Sequence, residues 1–192
     1  MPPWLRAQEA ADSGLALEDE EPSDPLRLLL MVGGGTSLRL SVNDYYQQDT
    51  FAPAFVDVSA GLVLPGRGNI RHVLGLNVST NLTGDGSASQ GVDSFEQIIV
   101  GPSYGLRLGY DEPVPDWTLL MRLTVPVTLT HEINPGLEVG AALTYMIFAG
   151  TGLYAEAAVS TFLGGPGRSS DLSVHAFASA EAGIVIDYEV LP

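Results

Sequence analysis

Cysteine is absent from this 192-residue chain, and so is lysine. The first absence excludes disulfides and thiolate metal sites, and leaves the redox compartment open. The second leaves eight basic residues, all arginine, against 23 acidic ones, for a formal net charge of −15. A chain this acidic, with scattered arginines, is not built to neutralise phosphates, which excludes nucleic acid as a partner. Also missing is any run approaching the roughly 18 apolar residues of a spanning helix. Hydrophobic residues still make up 45% of the chain, but Thr, Ser, Gly or Arg interrupts most apolar clusters every second or third position. Residues 1–24 show no charged-then-apolar leader. The expectations are a leader removed or encoded upstream, or else a protein that is not exported.

What the chain does contain is strict alternation. Between Trp117 and Thr130, the residues Trp117, Leu119, Met121, Leu123, Val125, Val127 and Leu129 share one parity. Thr118, Leu120, Arg122, Thr124, Pro126, Thr128 and Thr130 share the other. Successive strand side chains point to opposite faces, so this is a strand with one apolar and one polar side. It exceeds the ~9–11 tilted residues that cross a bilayer.

The pattern recurs and predicts eight strands, at 26–41, 53–64, 70–83, 95–110, 117–131, 137–147, 152–163 and 172–188. Turn chemistry separates them, including Pro65-Gly66-Arg67-Gly68-Asn69, Asp85-Gly86, Asp111-Glu112-Pro113, Asn134-Pro135-Gly136, Gly150 and Gly164-Gly165-Pro166-Gly167. The expected fold is all-β, an eight-stranded antiparallel up-and-down transmembrane β-barrel over residues 25–192. An even strand count lets such a sheet close and removes its exposed edges. Residues 1–24, polar and acidic, are expected to be a flexible periplasmic tail. Three of the four odd-numbered connections are the longer ones, as in barrels with long outer loops and short periplasmic turns.

The polar parity is expected to line a lumen only wide enough to be filled by side chains. Its charges are Arg39, Asp57, Arg71, Arg107, Arg122, Glu138, Glu156 and Glu181, which should pair and plug the interior, because a lone buried charge is costly. Tyr110, Trp117 and Tyr188 fall at one end of their strands on the apolar parity, as an interfacial aromatic belt against outer-membrane lipids requires. Phe148 lies at that level but shares the parity of Glu138, and is expected to be outside the belt.

The last predicted strand reads Glu181-Ala182-Gly183-Ile184-Val185-Ile186-Asp187-Tyr188. It resembles the C-terminal assembly signal of bacterial outer-membrane β-barrel proteins, with Glu181, Gly183, Ile186 and Tyr188 in the defining positions. It departs from that signal by continuing through Glu189-Val190-Leu191-Pro192. Over residues 25–192 the chain resembles a small OmpA/OmpX-type barrel. The resemblance implies a location in the outer membrane of a Gram-negative cell envelope and recognition by the barrel-assembly machinery.

Catalytic and ligand patterns are weaker than their structural readings. Ser173, His175, Ser179 and Glu181 share one strand face, but residues two apart on a strand lie about 6–7 Å apart. That is beyond hydrogen-bond reach for a nucleophile and its base, so a polar lining is the preferred reading. His131-Glu132 lacks the second histidine of a zincin, and Gly33-Gly34-Gly35-Thr36 lacks the lysine of a phosphate loop. Glycines that let a strand bend in a tight barrel account for the latter. Asp85 and Asp93 read as turn residues ahead of a weak calcium site, and the sequons at Asn77 and Asn81 fall inside a strand. No cofactor, metal or catalytic residue is expected. The functional expectation is a non-enzymatic anchor or subunit of a cell-envelope assembly, with residues 1–24 as a handle for a periplasmic or envelope protein partner. A narrow channel ranks second, a soluble lipocalin-like binder of an apolar ligand third, and a lipid-modifying enzyme last.

Overall fold

The computed structural model describes residues 25–40, 50–51, 54–66, 68–82, 98–109, 116–129, 133–163 and 174–191. They form β1 (Leu26–Leu40), β2 (Thr50–Phe51), β3 (Phe55–Val63), β4 (Ile70–Asn81), β5 (Ile98–Leu108), β6 (Trp117–Thr124), β7 (Val127–Thr128), β8 (Asn134–Phe148), β9 (Thr151–Leu163) and β10 (Val174–Leu191). β6 and β7 keep one register against both β5 and β8, so they are a single barrel strand interrupted at Val125–Pro126. Pro126 has no N–H to donate, which explains the break. β2 is a two-residue flank on β1. The remaining strands pair with their sequence neighbours, and β10 closes on β1. This is the expected eight-stranded, up-and-down antiparallel barrel. Its acidic tail, residues 1–24, lies outside the described residues.

One circuit of the register measures the closure. Arg27 pairs with Val63, then the path runs through Val73, Gly105, Arg122, Gly140, Ala158 and Ser179, and returns to β1 at Ser37, ten residues beyond its start. Eight strands with that stagger tilt by about 40° from the barrel axis and enclose a lumen that side chains fill.

Alternation decides which side meets which solvent. Leu74, Leu76, Val78, Leu119, Met121, Leu123, Leu143, Leu153 and Ile184 are exposed on the outside. Arg107, Arg122, Asn77, Thr118, Thr144, Glu156 and Asp187 are buried inside. A soluble barrel has the opposite arrangement, so the parity faces are those of a barrel built to sit in lipid.

Two departures from the sequence-based expectation have local causes. Asn134-Pro135-Gly136, expected as a turn, opens β8, with Thr128 opposite Asn134 and Val127 opposite Pro135. The Asn134 N–H goes to Thr128 Oγ1 (3.0 Å) and the Gly136 N–H to the Pro126 carbonyl (2.7 Å). The residue between them would donate toward β9, where pairing starts only at Gly136, so Pro135 breaks no ladder bond. At the other end of β8 the register against β9 shifts between Met146 and Phe148. Ala149 and Gly150 then turn the chain in two residues, both with positive φ (44° and 76°), the backbone of a tight hairpin. The shift breaks the alternation at the end of β8, where Ile147 and Phe148 are both exposed, Phe148 at 69%.

Large and small residues interlock inside. A Cβ on Gly33 would collide with the Tyr154 hydroxyl, and one on Gly183 would stand 2.8 Å from Tyr154 Cε1. The Tyr154 ring therefore occupies space that two glycines leave on β10 and β1. β1 stays paired on both sides through Gly33–Gly35, and the close approach of Tyr154 gives Gly33 a steric role. Gly33→Ala should cost about 1–3 kcal/mol by overpacking. The cost should shrink in a Tyr154→Leu background, as read from urea unfolding midpoints of the detergent-folded protein.

Candidate functional site: the charged lumen

The register stacks the inward side chains in layers. At the end carrying the Ala149–Gly150 turn, Arg27 Nε donates to Asp187 Oδ1 (2.7 Å) and Arg107 Nη1 to Asp187 Oδ2 (2.6 Å). Arg107 is fully buried, and its Nε donates to Thr118 Oγ1 (3.0 Å), which in turn meets Thr144 Oγ1 (2.5 Å). Arg71 donates to the carbonyls of its own turn, at Gly68 and at Ile70 (3.0 Å). Each carboxylate oxygen of Asp187 thus takes one guanidinium, and charge-assisted bonds of this kind are the strong class.

Above this layer lies an apolar plug of Leu29, Met31, Val63, Val73, Leu120, Ala142 and Val185. The recess beside it, lined by Met31, Gly61, Val73, Gly105, Leu120 and Arg122, has a volume of only about 10 Å³. That is about the size of a single water.

The third layer centres on Arg122. Its Nη2 donates to Glu156 Oε1 (2.6 Å) and its Nη1 to Ser59 Oγ (3.2 Å). With its amide oxygen turned to the guanidinium, Asn77 accepts from Nη1 (2.5 Å) and Nη2 (3.1 Å), and its amide nitrogen donates to Ser103 Oγ (3.1 Å). One arginine on β6 thereby ties β3, β4 and β9 together across the lumen. Glu181 accepts from the Tyr154 hydroxyl (3.1 Å). Asp57, only 6% exposed, and Glu138 complete the layer, both interacting with Arg122 through charge. Four carboxylates face one guanidinium here.

The expected lumen network is therefore partly assembled and partly extended. Arg122 and Glu156 meet directly, Asp57, Glu138 and Glu181 surround them, and Arg71 and Arg107 belong to the separate lower layer. Arg39 pairs with Phe177 across β10, and its side chain lies outside the described residues. Arg27 and Asp187 were not among the expected network residues. Both carry the inward parity, so parity alone could have found them; only the register shows that they meet. Of the residues expected to form an assembly signal, Glu181 and Gly183 face inward, toward Tyr154, while Ile186 and Tyr188 are exposed on the outside. β10 continues past Tyr188 and pairs Leu191 with Leu26.

Among the expected belt residues, Trp117 and Tyr188 are exposed on the outer face, at 56% and 67%. Tyr110 lies outside the described residues. Tyr145 was not foreseen: its ring packs on Trp117 with centroids 4.5 Å apart. Phe148, expected outside the belt, is exposed at the β8 register shift. His72 and Tyr104 form a polar pair on the exterior (Nδ1···Oη 2.6 Å), where the sequence had pointed to no outward polar group.

Ser179 donates to the Ala158 carbonyl (3.5 Å) and Glu181 is held by Tyr154, so these two have separate partners. Ser173, the His175 side chain, His131, Glu132, Asp85 and Asp93 lie outside the described residues. Among the described residues no group of three or more His, Asp or Glu side chains is arranged to hold a metal ion.

No protein-family model matches this chain, and no curated protein matches it. Among solved structures it is similar to Neisserial surface protein A, at 12% identity and a TM-score of 0.48, over 83% of this chain and 96% of that one. It is also similar to a de novo designed transmembrane β-barrel, at 14% identity and a TM-score of 0.43, covering 88% and 98% of the two chains. The translocator domain of the autotransporter NalP from Neisseria meningitidis matches at 14% identity and a TM-score of 0.29, over 95% and 94%. At these similarities the fold assignment rests on the chain's own registers and faces.

Removing Arg122 leaves four carboxylates without their shared counter-charge, whereas removing Glu156 leaves the guanidinium among three others. Arg122→Met should therefore destabilise the barrel by about 3–5 kcal/mol and Glu156→Gln by distinctly less. Urea refolding titrations in lipid vesicles would measure both, and equal losses would contradict this ordering.

Proposed function

We propose that the chain is an integral outer-membrane barrel that serves as a non-enzymatic anchor or subunit of a cell-envelope assembly. The observation that carries this reading is the filled lumen. The Met31, Val63, Val73, Leu120 and Val185 plug lies between two charged layers, and a solute moving along the axis would have to displace it. A narrow channel, the competing reading, needs a continuous wet path along the same axis. The soluble lipocalin-like reading needs an apolar interior and a polar exterior, the reverse of the observed faces. Lipid contact falls to the apolar wall and its aromatic rim. Assembly falls to Glu181, Gly183, Ile186 and Tyr188, as a signal for the barrel-assembly machinery. The acidic residues 1–24 are offered as the contact for a periplasmic or envelope protein partner.

The test is expression behind a signal peptide, fractionation, and electrophoresis of boiled and unboiled membrane samples. The expected result is outer-membrane recovery with a heat-dependent mobility shift, and no steady conductance in planar bilayers. Stepwise conductance would move the assignment to a channel, and a soluble product without a shift would overturn the membrane reading. Leu76→Arg, near mid-height on the outer wall, should cost about 2–4 kcal/mol in vesicles. A soluble barrel would tolerate it with little loss.

A further inference from the structure

Among the described residues, the outer wall carries a hydrogen-bonded polar pair inside its apolar band. β4 presents Ile70, His72, Leu74 and Leu76 outward, and β5 presents Tyr104 beside them. His72 Nδ1 lies 2.6 Å from the Tyr104 hydroxyl, with ring centroids 5.9 Å apart and both residues exposed. Counting hydrogens shows what this pair demands. A neutral imidazole and a phenol hold one donatable hydrogen each, and the contact between them uses one. If Nδ1 accepts, the second hydrogen sits on Nε2; if Nδ1 donates, it sits on the phenol oxygen. In either tautomer one donor is left to face the surroundings, and hydrocarbon offers it nothing.

Depth identifies the acceptor. Ile70, two residues before His72, pairs with Leu108, which pairs with Leu119, two residues from Trp117. With the tilt of the strands, His72 lies about 4 Å deeper into the membrane than Trp117. Trp and Tyr rings mark the headgroup level, so a group slightly deeper meets the junction of headgroup and hydrocarbon. The hydrogen-bond acceptors of a bilayer at that depth are the ester carbonyls that join acyl chains to glycerol.

We propose that His72 and Tyr104 form a docking notch for a glycerophospholipid of the leaflet at this end. The outward hydrogen is donated to an acyl-ester carbonyl oxygen, and Leu74 and Leu106 line the path of the acyl chain. This rests on the membrane reading above, and the test separates the two. The full chain is refolded into vesicles of ester-linked diacyl phosphatidylcholine and of the ether-linked dialkyl analogue, which lacks the carbonyl. The heat-dependent gel shift is checked in every sample. Urea midpoints of the wild type and of the His72→Leu/Tyr104→Phe double variant are then compared in both lipids, with the His72 imidazole proton followed by NMR.

The expected result is a higher wild-type midpoint in ester than in ether lipid, with that gap lost in the double variant. The His72–Tyr104 donor proton should exchange slowly in ester lipid and quickly in ether lipid. An equal gap in both proteins, or rapid exchange in both lipids, would show that water fills the role and overturn the lipid site while the barrel stands. Failure to obtain the heat-shifted form at all would overturn the membrane reading and the site together.

Discussion

Closure of the sheet on itself, with a stagger of ten residues in one circuit, is the constraint from which the rest of this molecule follows. It removes every edge, so no strand needs protection against pairing with another chain. It also fixes the bore. Eight strands at that tilt leave room for side chains from opposite walls to meet, and too little for them to stand apart. Each inward position must then be small, or carry a side chain that meets a partner from another strand. Gly33 and Gly183 yield to Tyr154, Gly140 stands beside the Glu156 carboxylate, and Gly105 admits Leu120. The outward positions face no such limit, and bulky Leu, Val, Ile and Met populate them.

Within that bore the charges are sorted by sign along the axis. Arg27 and Arg107 share Asp187 at the turn end, while Arg122 stands among four carboxylates above. Separating the two groups by an apolar plug keeps each arginine near its own acid. The arrangement also makes Arg122 the principal cross-lumen tie, because its guanidinium reaches β3, β4 and β9 at once. Its multiple planar donors suit that task in a way a lysine ammonium does not.

Much of this architecture was legible before any coordinates, because parity is a local property and a closed barrel repeats it in every strand. The alternation from Trp117 to Leu129 already assigned each residue to lipid or lumen, and Pro126 did not disturb it. Less legible was anything that depends on register. Asp187 and Arg27 lie 160 positions apart, and no spacing rule joins them. His72 and Tyr104 are separated by 32 positions and meet only because β4 and β5 are paired so that Tyr104 lies diagonal to His72. The end of β8 shows a second limit: the register shifts between Met146 and Phe148, and alternation cannot foresee where a shift falls. Asn134-Pro135-Gly136 looked like a turn because proline and glycine usually mark one; here the edge of the β8–β9 ladder makes a strand proline harmless.

The same separation of local from register-dependent information bears on function. A protein whose chemistry lies in its lumen must keep space there for a substrate or permeant, at the expense of packing. This chain packs its bore instead: Tyr154 fits against Gly33 and Gly183, and Leu120 against Gly105, so small residues let large ones fill the space. The interior is thus committed to holding the wall in shape. Among the described residues, the surfaces open to contact are the apolar wall, its aromatic rim and the His72–Tyr104 pair. The anchor role proposed above draws on those surfaces and asks of the lumen only that it stay filled.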